Sequence, residues 1–265
     1  MDTLSTCILN FNGKDYLEKC LKSVPLSIAG IRLEKILIDN ASTDESWKIA
    51  DKYGFSVVHA DNKHKFITGL NKAIESSHGR YFLFSQADLW FKQDAIRNLI
   101  KSTLLIKRGV VQPVIYSENG AIDNAGMNWI WPGYGIRRLK KTNGFLYETD
   151  IATTITFMTT RNVLDKVGPF DTELSPAYYE DVDYALRCRG FGLRHYICSK
   201  ASVVHNHTTS FSKLYSKKDL SNICFKNRLY VVKKHYKGFD RCLRCKVIRV
   251  AQSLRTLKVF EGSNP

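Results

Sequence analysis

The sequence predicts an α/β protein with a mostly parallel central sheet flanked by helices. Through the first 109 residues, short apolar runs typical of strands alternate with amphipathic segments of helical length. Polar turns separate these segments, as at an Asn-Gly pair after the first run. Alternation of this kind favours parallel strands joined by helical crossovers, because a parallel sheet is normally covered on both faces.

The elements follow one another in a regular order. The run TLSTCILNFN is the first strand and KDYLEKCLKSV the first helix; the strand KILI ends at Asp39. A second helix is predicted for DESWKIADKYG, capped near Thr43 or Asp44 and stopped at Gly54. SVVHA, ITGLNKAIESSHG, YFLFS and QDAIRNLIKSTLLIKRG are then strand, helix, strand and helix. After Gly109 strands and loops dominate, with later helices at RNVLDKVG and DVDYALRCR.

The size and composition fit one large domain with an appendage. The chain has 265 residues, of which 44% are hydrophobic, so it can bury a sizeable core. We expect a domain at residues 1–212, divided into a nucleotide-type half at about 1–109 and a second half at 110–212, and an extension at 213–265. The seven cysteines are odd in number and scattered, which favours a reducing, cytoplasmic setting.

The basic charge is concentrated at the end of the sequence. The formal charge is +15, and residues 213–265 carry fourteen Lys and Arg against three acidic residues, or +11 of that total. A nucleic-acid-binding fold would be expected to carry its basic stripe on the folded module, so the charge alone does not favour nucleic acid as a partner.

Two acidic residues are predicted at the carboxyl ends of strands, where ligands bind in open α/β sheets. Asp39 ends the second strand and Asp88 follows the fourth. The sequence contains neither G-x-G-x-x-G nor G-x-x-x-x-G-K-[ST], which disfavours a dinucleotide enzyme or a P-loop NTPase. A diphosphate would need another means of binding, and a divalent cation held by Asp88 would serve.

A second acidic group lies in YYEDVDYALRCRG. Glu180, Asp181 and Asp183 fall within four positions at the start of a predicted helix. Three uses are open for them on chemical grounds: capping the helix, binding a metal, or supplying a base near neutral pH.

Five blocks of the sequence resemble, in order and spacing, the family 2 glycosyltransferases of the GT-A fold. They are ILNFNGKDYLEKCLKSV, LIDNASTDES, FLFSQADLWF, VGPFDTELSPAYYEDVDYALRCRGFGLRHY and ASVVHNHTTSF, covering about residues 3–212. Within the family the chain looks most like rhamnosyltransferase-like members of bacterial surface-polysaccharide pathways. The resemblance implies a Rossmann-like nucleotide half, an acceptor half, and inverting transfer of a sugar from a UDP- or dTDP-sugar, usually with Mg²⁺ or Mn²⁺.

For the donor, the resemblance implies roles for residues of the first half. Asp39 matches the aspartate that contacts the nucleobase, and Asn10 and Phe11 match the loop that packs against the nucleoside. Asn62 and Lys65 match a turn with donor contacts, although Lys65 stands where the family has glycine.

For the chemistry, Asp88 matches the last acid of the metal-binding D-x-D-type motif, whose first position here is glutamine. His205 matches a histidine near the diphosphate or its metal, with His207 as the alternative. Asp181 matches the catalytic base, and Glu180 is its supporting acid.

For the acceptor, we expect contacts from Trp129, Trp131, Tyr179 and Asp183. Aromatic faces suit the apolar faces of sugar rings, although the tryptophans are alternatively core residues. Arg187 follows Asp183 by four positions and can pair with it along one helix face.

The function expected is therefore an inverting transfer to a glycan hydroxyl, with a lipid-linked acceptor. The rivals are an inactive nucleotide-sugar-binding module, a nucleic-acid-binding protein and a glycoside hydrolase. In residues 241–260 apolar positions recur at helical spacing beside arginines, which predicts an amphipathic basic helix. Its expected partner is the inner face of the cytoplasmic membrane, while the alternatives are docking onto the domain and a homodimer.

Overall fold

A ten-stranded mixed sheet forms the centre of the protein in this computed structural model, which describes residues 1–60, 66–130, 133–206 and 214–236. The strands of this sheet are β1 Asp2–Asn10, β2 Ile31–Asp39, β3 Ser56–His59, β4 Tyr81–Gln86, β5 Leu89–Phe91, β6 Gly109–Ser117, β7 Ile122–Asn124, β10 Leu146–Thr149, β11 Thr156–Thr160 and β12 Arg194–His205. A separate two-stranded hairpin consists of β8 Met127–Ile130 and β9 Tyr134–Arg137. The helices are α1 Leu17–Ser23, α2 Phe66–Ser76, α3 Ala95–Ile106, α4 Arg161–Val167, α5 Glu180–Gly190 and α6 Lys217–His235.

The first half of the sheet has the predicted parallel arrangement. Strands β3, β2, β1 and β4 lie side by side, and each neighbouring pair is parallel. The registers place Asn10 opposite Asp39, and Asp39 opposite His59. The carboxyl ends of three strands therefore bring these polar side chains to one edge of the sheet.

The second half of the sheet is mixed. β11 runs antiparallel to both β4 and β6, while β12 is parallel to β6. The short strand β5 pairs antiparallel with the end of β12, with His205 opposite Leu89. This pairing brings His205 next to Asp88, although 117 positions separate them in the sequence.

Both faces of the sheet are buried, as the apolar strands predict. Successive residues of β1 and β4 alternate between two hydrophobic clusters, with Cys7, Leu9, Phe82 and Phe84 in one and Leu4, Ile8, Tyr81 and Leu83 in the other. All eight are at most 7% exposed. Truncating such a phenylalanine to alanine costs about 3–5 kcal/mol, since it removes apolar burial and leaves a cavity.

The helix predicted for DESWKIADKYG is absent. Two 3₁₀ segments, Ser46–Ile49 and Asp51–Tyr53, replace it, and Gly54 ends them with a φ of 71°. Asp44 accepts hydrogen bonds from the backbone of Ser46 and of Lys14, and Glu45 has a φ of 57°. Because these side chains tie the segment to the loop after β1, the chain cannot start a regular α-helix there.

The described part of the basic extension, α6, packs against the rest of the fold. It begins with a capping box formed by Ser216 and Asp219, and Val231 and Val232 are buried. The amphipathic helix predicted for residues 241–260 lies outside the described residues. No helix in the described ranges has the length and apolar character required to span a membrane.

Candidate active site

The carboxylate of Asp39 is the centre of a buried polar network at the ends of β1, β2 and β3. Asp39 is 1% exposed. Its Oδ1 accepts from Asn10 Nδ2 at 3.1 Å and Ser42 Oγ at 2.6 Å, and its Oδ2 accepts from the Ser42 amide at 3.2 Å. His59 Nδ1 lies 3.4 Å from Oδ2, on a side chain that is 55% exposed. A carboxylate has about four lone-pair positions for hydrogen bonds. Because His59 is the exposed partner of Asp39, it is the one that a nucleobase N–H would most easily replace.

The loop after β1, which includes Phe11, lies beside this network. Phe11 is partly exposed and its carbonyl accepts from the hydroxyl of Tyr16 at 3.2 Å. Asn12 adopts a left-handed φ of 50° and accepts the Thr43 amide at 2.8 Å. Asn62 and Lys65 lie outside the described residues.

A second polar cluster joins Asp88, His205 and Asp123. His205 Nε2 lies 3.2 Å from Asp88 Oδ2, and Nδ1 lies 3.4 Å from Asp123 Oδ2. Burial disfavours a charged imidazole here, but the hydrogen bonds and negative charge of Asp123 and Asp88 outweigh it and raise the pKa of His205 to about 9. The Oδ1 atom of Asp88 is buried and has no hydrogen-bond partner among the described residues.

Asp123 is a residue that the sequence did not single out. It precedes Asn124 at the end of the β6–β7 hairpin and also accepts from Arg137 at 2.8 Å. In the sequence it looks like any acidic residue of a polar turn, and only the pairing of β12 with β6 brings it to His205.

The third cluster is the acid pair Glu180–Asp181, which opens α5. Glu180 is 6% exposed and Asp181 is partly buried. Thr154 Oγ1 donates to Glu180 Oε1 at 2.6 Å, and Asp181 Oδ1 accepts the Val182 amide at 2.8 Å. Burial and the negative charge of Glu180 raise the pKa of Asp181, and burial raises the pKa of Glu180.

A cavity of about 330 Å³ separates the second cluster from the third. Gln86, Asp123 and His205 line one part of it, and Tyr178, Tyr179, Glu180 and Asp181 line another. Gln86 occupies the first position of the D-x-D-type motif. The carboxyl group of Asp181, whose pKa is raised, and the Asp123–His205 pair therefore line the same cavity. Asp181 is suited to removing a proton, and the Asp123–His205 pair to stabilising charge.

The structure separates the residues predicted to bind an acceptor. Tyr179 lines the cavity, and its hydroxyl donates to the Gly133 carbonyl at 3.1 Å. Trp129 stacks on Tyr236, with ring centroids 6.5 Å apart, and donates to its hydroxyl at 2.8 Å. Trp131 and His207 lie outside the described residues.

Asp183 belongs to the fold and does not reach the cavity, which corrects the expectation that it contacts the acceptor. It is fully buried and accepts from Arg187, as predicted, at 2.8 Å. Lys234 and His235 also lie 2.8 Å from its Oδ1. Burial opposes the charge of Asp183, but these three partners hold its pKa well below the ordinary value.

Comparison with solved structures finds the same fold in two proteins crystallised with nucleotide or nucleotide-sugar ligands. The structure of GalNAc-T7 with UDP, GalNAc and Mn²⁺ aligns with a TM-score of 0.67 at 17% identity, over 90% of this chain and 49% of that chain. The S. aureus TarS fragment 1–349 in complex with UDP-GlcNAc aligns with a TM-score of 0.64 at 14% identity, over 88% and 67%. The mixed α/β sheet is therefore a GT-A-like fold.

Curated relatives match over part of the chain. A dolichol-phosphate mannosyltransferase of Pyrococcus furiosus is 23% identical over 49% of this chain. The putative teichuronic acid biosynthesis glycosyltransferase TuaG of Bacillus subtilis is 29% identical over 35% of it. The chain spans 36% and 38% of the lengths of these two proteins.

The family match covers the strand that ends at Asp39 and the turn after β4 that contains Asp88. Residues 5–168 match glycosyl transferase family 2, whereas the acid pair, His205 and α6 come later in the chain. Since this match covers more than half of the sequence, the chain belongs to glycosyl transferase family 2.

Proposed function

We propose that this protein transfers a sugar from a UDP- or dTDP-sugar to a hydroxyl of a glycan acceptor, with inversion at the anomeric carbon. The observation that carries the proposal is one cavity lined both by His205 and Asp123 and by Glu180 and Asp181. Asp88 does not line the cavity itself but lies 3.2 Å from His205 Nε2. The hydroxyl oxygen forms a bond to the anomeric carbon while the bond from that carbon to the diphosphate breaks. The hydroxyl proton passes to a carboxylate oxygen of Asp181.

The raised pKa of Asp181 supports its role as the base. A base is most effective when its pKa lies near the working pH, and burial beside Glu180 shifts the pKa of Asp181 in that direction. Glu180 is anchored by Thr154 and assists through its charge. Asp39 would accept the N3–H of uracil or thymine, in place of the exposed His59.

The residues near Asp88 fit a divalent cation. Asp88 offers a buried oxygen without a hydrogen-bond partner, and His205 Nε2 faces the same carboxylate. The described residues contain no group of three or more acidic, His or Cys side chains suited to a metal, but Mg²⁺ often uses one or two carboxylates and completes its shell with phosphates and water. A bound Mg²⁺ or Mn²⁺ would neutralise charge on the leaving diphosphate. His205 would then have to release its proton, since a metal-ligating imidazole is neutral.

The same cluster supports a metal-independent variant of the reaction. With a pKa raised to about 9, His205 carries a positive charge at neutral pH and can itself interact with the diphosphate. The glutamine at the first D-x-D position favours this possibility, because it removes one carboxylate ligand.

A thermal-shift screen of nucleoside diphosphates tests the donor. UDP or dTDP, but not ADP, should raise the melting temperature, because a ligand that binds only the folded protein stabilises it by mass action. The shift should be larger with Mn²⁺ if a metal joins Asp88 to the diphosphate, and insensitive to EDTA if His205 acts alone. The absence of a shift with every nucleoside diphosphate would contradict the proposal. Binding of UDP without any sugar transfer would favour an inactive nucleotide-sugar-binding module.

The class of acceptor is proposed from the names of the relatives, and the cellular location from the basic charge of residues 213–265. The names of relatives include a dolichol-phosphate mannosyltransferase and a teichuronic acid biosynthesis enzyme, which suggests a lipid-linked acceptor in cell-surface polysaccharide synthesis. The +11 charge of residues 213–265 suggests a cytoplasmic protein bound to the inner face of the membrane. The rhamnosyltransferase-like assignment and the division at residue 212 stay predictions.

A further inference from the structure

The segment that leads into the acid pair has an unusual backbone. Tyr178 and Tyr179, immediately before Glu180, both have a φ of 72°. The left-handed region is costly for residues other than glycine, and two such residues in succession persist only where surrounding contacts hold them. Their conformation sets the direction in which α5 starts, and therefore the position of Asp181.

The side chain of Asn227 in α6 supplies such contacts. Asn227 is 1% exposed. Its Nδ2 donates to the carbonyl of Leu174 at 2.7 Å, and to those of Ala177 and Tyr178 at 3.0 Å each. Because all three neighbours are acceptors, only the amide nitrogen can face them, which fixes the orientation of the side chain.

Two acidic residues, one on each side of this segment, also bind α6. Before it, Asp171 accepts from the hydroxyl of Tyr230 at 2.9 Å and from Lys234 at 2.6 Å. After it, Asp183 binds Lys234 and His235, each at 2.8 Å. Asn227, Tyr230 and Lys234 are spaced by three and four positions, so they lie on one face of the helix.

The β8–β9 hairpin, whose Met127 and Arg137 line the cavity, also packs against α6. Gly133, immediately before β9, has a φ of 100°, and a Cβ atom there would come within 2.6 Å of Val232. The carbonyl of the same Gly133 accepts from the hydroxyl of Tyr179. The close approach of the hairpin to α6 thus helps to hold one of the two left-handed tyrosines.

We infer that α6 is a positioning element of the active site and that Asn227 is the residue through which it fixes the segment 174–179 and hence Asp181. The inference rests on the proposed function for the role of Asp181. The donor-side residues Asp39 and Asp88 are not among the residues that α6 contacts here. Loss of the Asn227 contacts should therefore impair sugar transfer and leave donor binding intact.

The test compares Asn227→Asp with Asn222→Asp, an identical change at an exposed position of the same helix. In Asn227→Asp an acceptor replaces the donor at nearly constant volume, so the segment should loosen. Hydrogen exchange of the amides in residues 174–183 should become at least about tenfold faster, with β1, β2 and β4 unchanged. The kcat of transfer should fall about 10²-fold, as for a misplaced catalytic group, while the KM for the donor stays within about twofold.

Several outcomes would overturn the inference. One is wild-type exchange and wild-type kcat in Asn227→Asp; another is a loss of UDP binding as large as the loss of kcat, which indicates general unfolding. If Asn227→Asp does not fold, Asn227→Ser keeps one donor and should show a smaller change in the same direction. If wild-type protein neither binds UDP nor transfers sugar, the proposed function fails, and the exchange data still decide whether Asn227 holds the segment.

Discussion

His195 is a buried histidine of β12 beside the acid pair. Its Nδ1 accepts the Ala152 amide at 3.0 Å, and the same ring lines a small space next to Asp181. Burial, followed by the positive charge of Arg189, lowers the pKa of His195 to about 3. The imidazole is therefore neutral in the folded protein at pH values where it would be protonated in the unfolded chain.

This difference predicts a loss of stability on acidification. Between the unfolded pKa of about 6.5 and the folded pKa of about 3, the unfolded chain binds one more proton, so stability falls as the pH falls. At pH 5 the contribution is about 2 kcal/mol relative to neutral pH. His195→Asn, which can keep the acceptor for Ala152, should reduce the drop in unfolding free energy between pH 7 and pH 5 by that amount, measured with urea. An unchanged drop would contradict the buried neutral state.

Asp181 gives the residue-scale prediction for catalysis. Asp181→Asn should lower the kcat of transfer by about 10² to 10⁴, because the acceptor proton loses its base. The affinity for UDP, measured by calorimetry, should stay close to that of the wild type. Asp165→Asn, at an exposed position of α4, is the matched control. Near-normal transfer by Asp181→Asn would remove Asp181 from this role.

Single residues were predictable where a strand end or a motif marked them. Asp39 and Asp88 follow apolar runs, so their positions at one edge of the sheet follow from alternation alone, whereas His205 was marked only by the family resemblance. Asp123 and Asn227 carry no such mark. Their partners are 82 and about 50 positions away in the chain, and only the packed structure brings them together.

At the scale of elements, the contact between α5 and α6 depends on one carboxylate. Asp183 pairs with Arg187 on its own helix and with Lys234 and His235 on α6. Removing one partner of a buried ion pair leaves a desolvated charge with no opposite charge beside it, which costs about 3–5 kcal/mol of stability.

We therefore expect Asp183→Asn to lower the free energy of unfolding by about 3–5 kcal/mol, measured by urea denaturation at neutral pH. The exposed change Asp165→Asn should stay within about 0.5 kcal/mol of the wild type. A loss below about 1 kcal/mol at Asp183 would mean that the three cations find other partners, and that the α5–α6 contact does not depend on this residue.

The elements also show where sequence patterns are insufficient. The parallel strands β1 to β4 and the helices between β3 and β6 follow the predicted alternation. The helix predicted after Asp39 does not form. The side chains of Asp44 and Ser46, which could cap a helix locally, instead accept hydrogen bonds from backbone amides of the loop after β1. The antiparallel insertion of β11 between β4 and β6 has no local signal.

At the scale of the whole molecule, the contacts of α6 decide where the chain can be shortened. A protein truncated at Ser212 loses α6 and with it the partners of Asp183 and of the segment before Glu180. A protein truncated after Tyr236 keeps them. We expect the longer form to retain its fold and UDP binding and the shorter form to melt at a lower temperature, measured by calorimetry.

Comparing the full chain with the form that ends at Tyr236 tests the membrane proposal without removing α6. The full chain should co-sediment with vesicles containing phosphatidylglycerol at low salt and be released by high salt, since each Lys or Arg near an anionic surface adds about 1 kcal/mol. The form that ends at Tyr236 should bind much less. Equal binding of the two forms, or binding to purely zwitterionic vesicles, would exclude residues 237–265 as the anchor.

The position of α6 in the chain also sets the order in which the site can form during synthesis. In the described part of the chain, α6 follows every strand of the sheet. Because the chain is synthesised from its N-terminus, β1, β2, β3 and β4, which carry the polar network around Asp39, are all available to pair before α6 is made. The segment before α5 gains its Asn227 contacts only after about fifty further residues have been added. A nascent chain should therefore recognise a nucleotide before its acid pair is held in place.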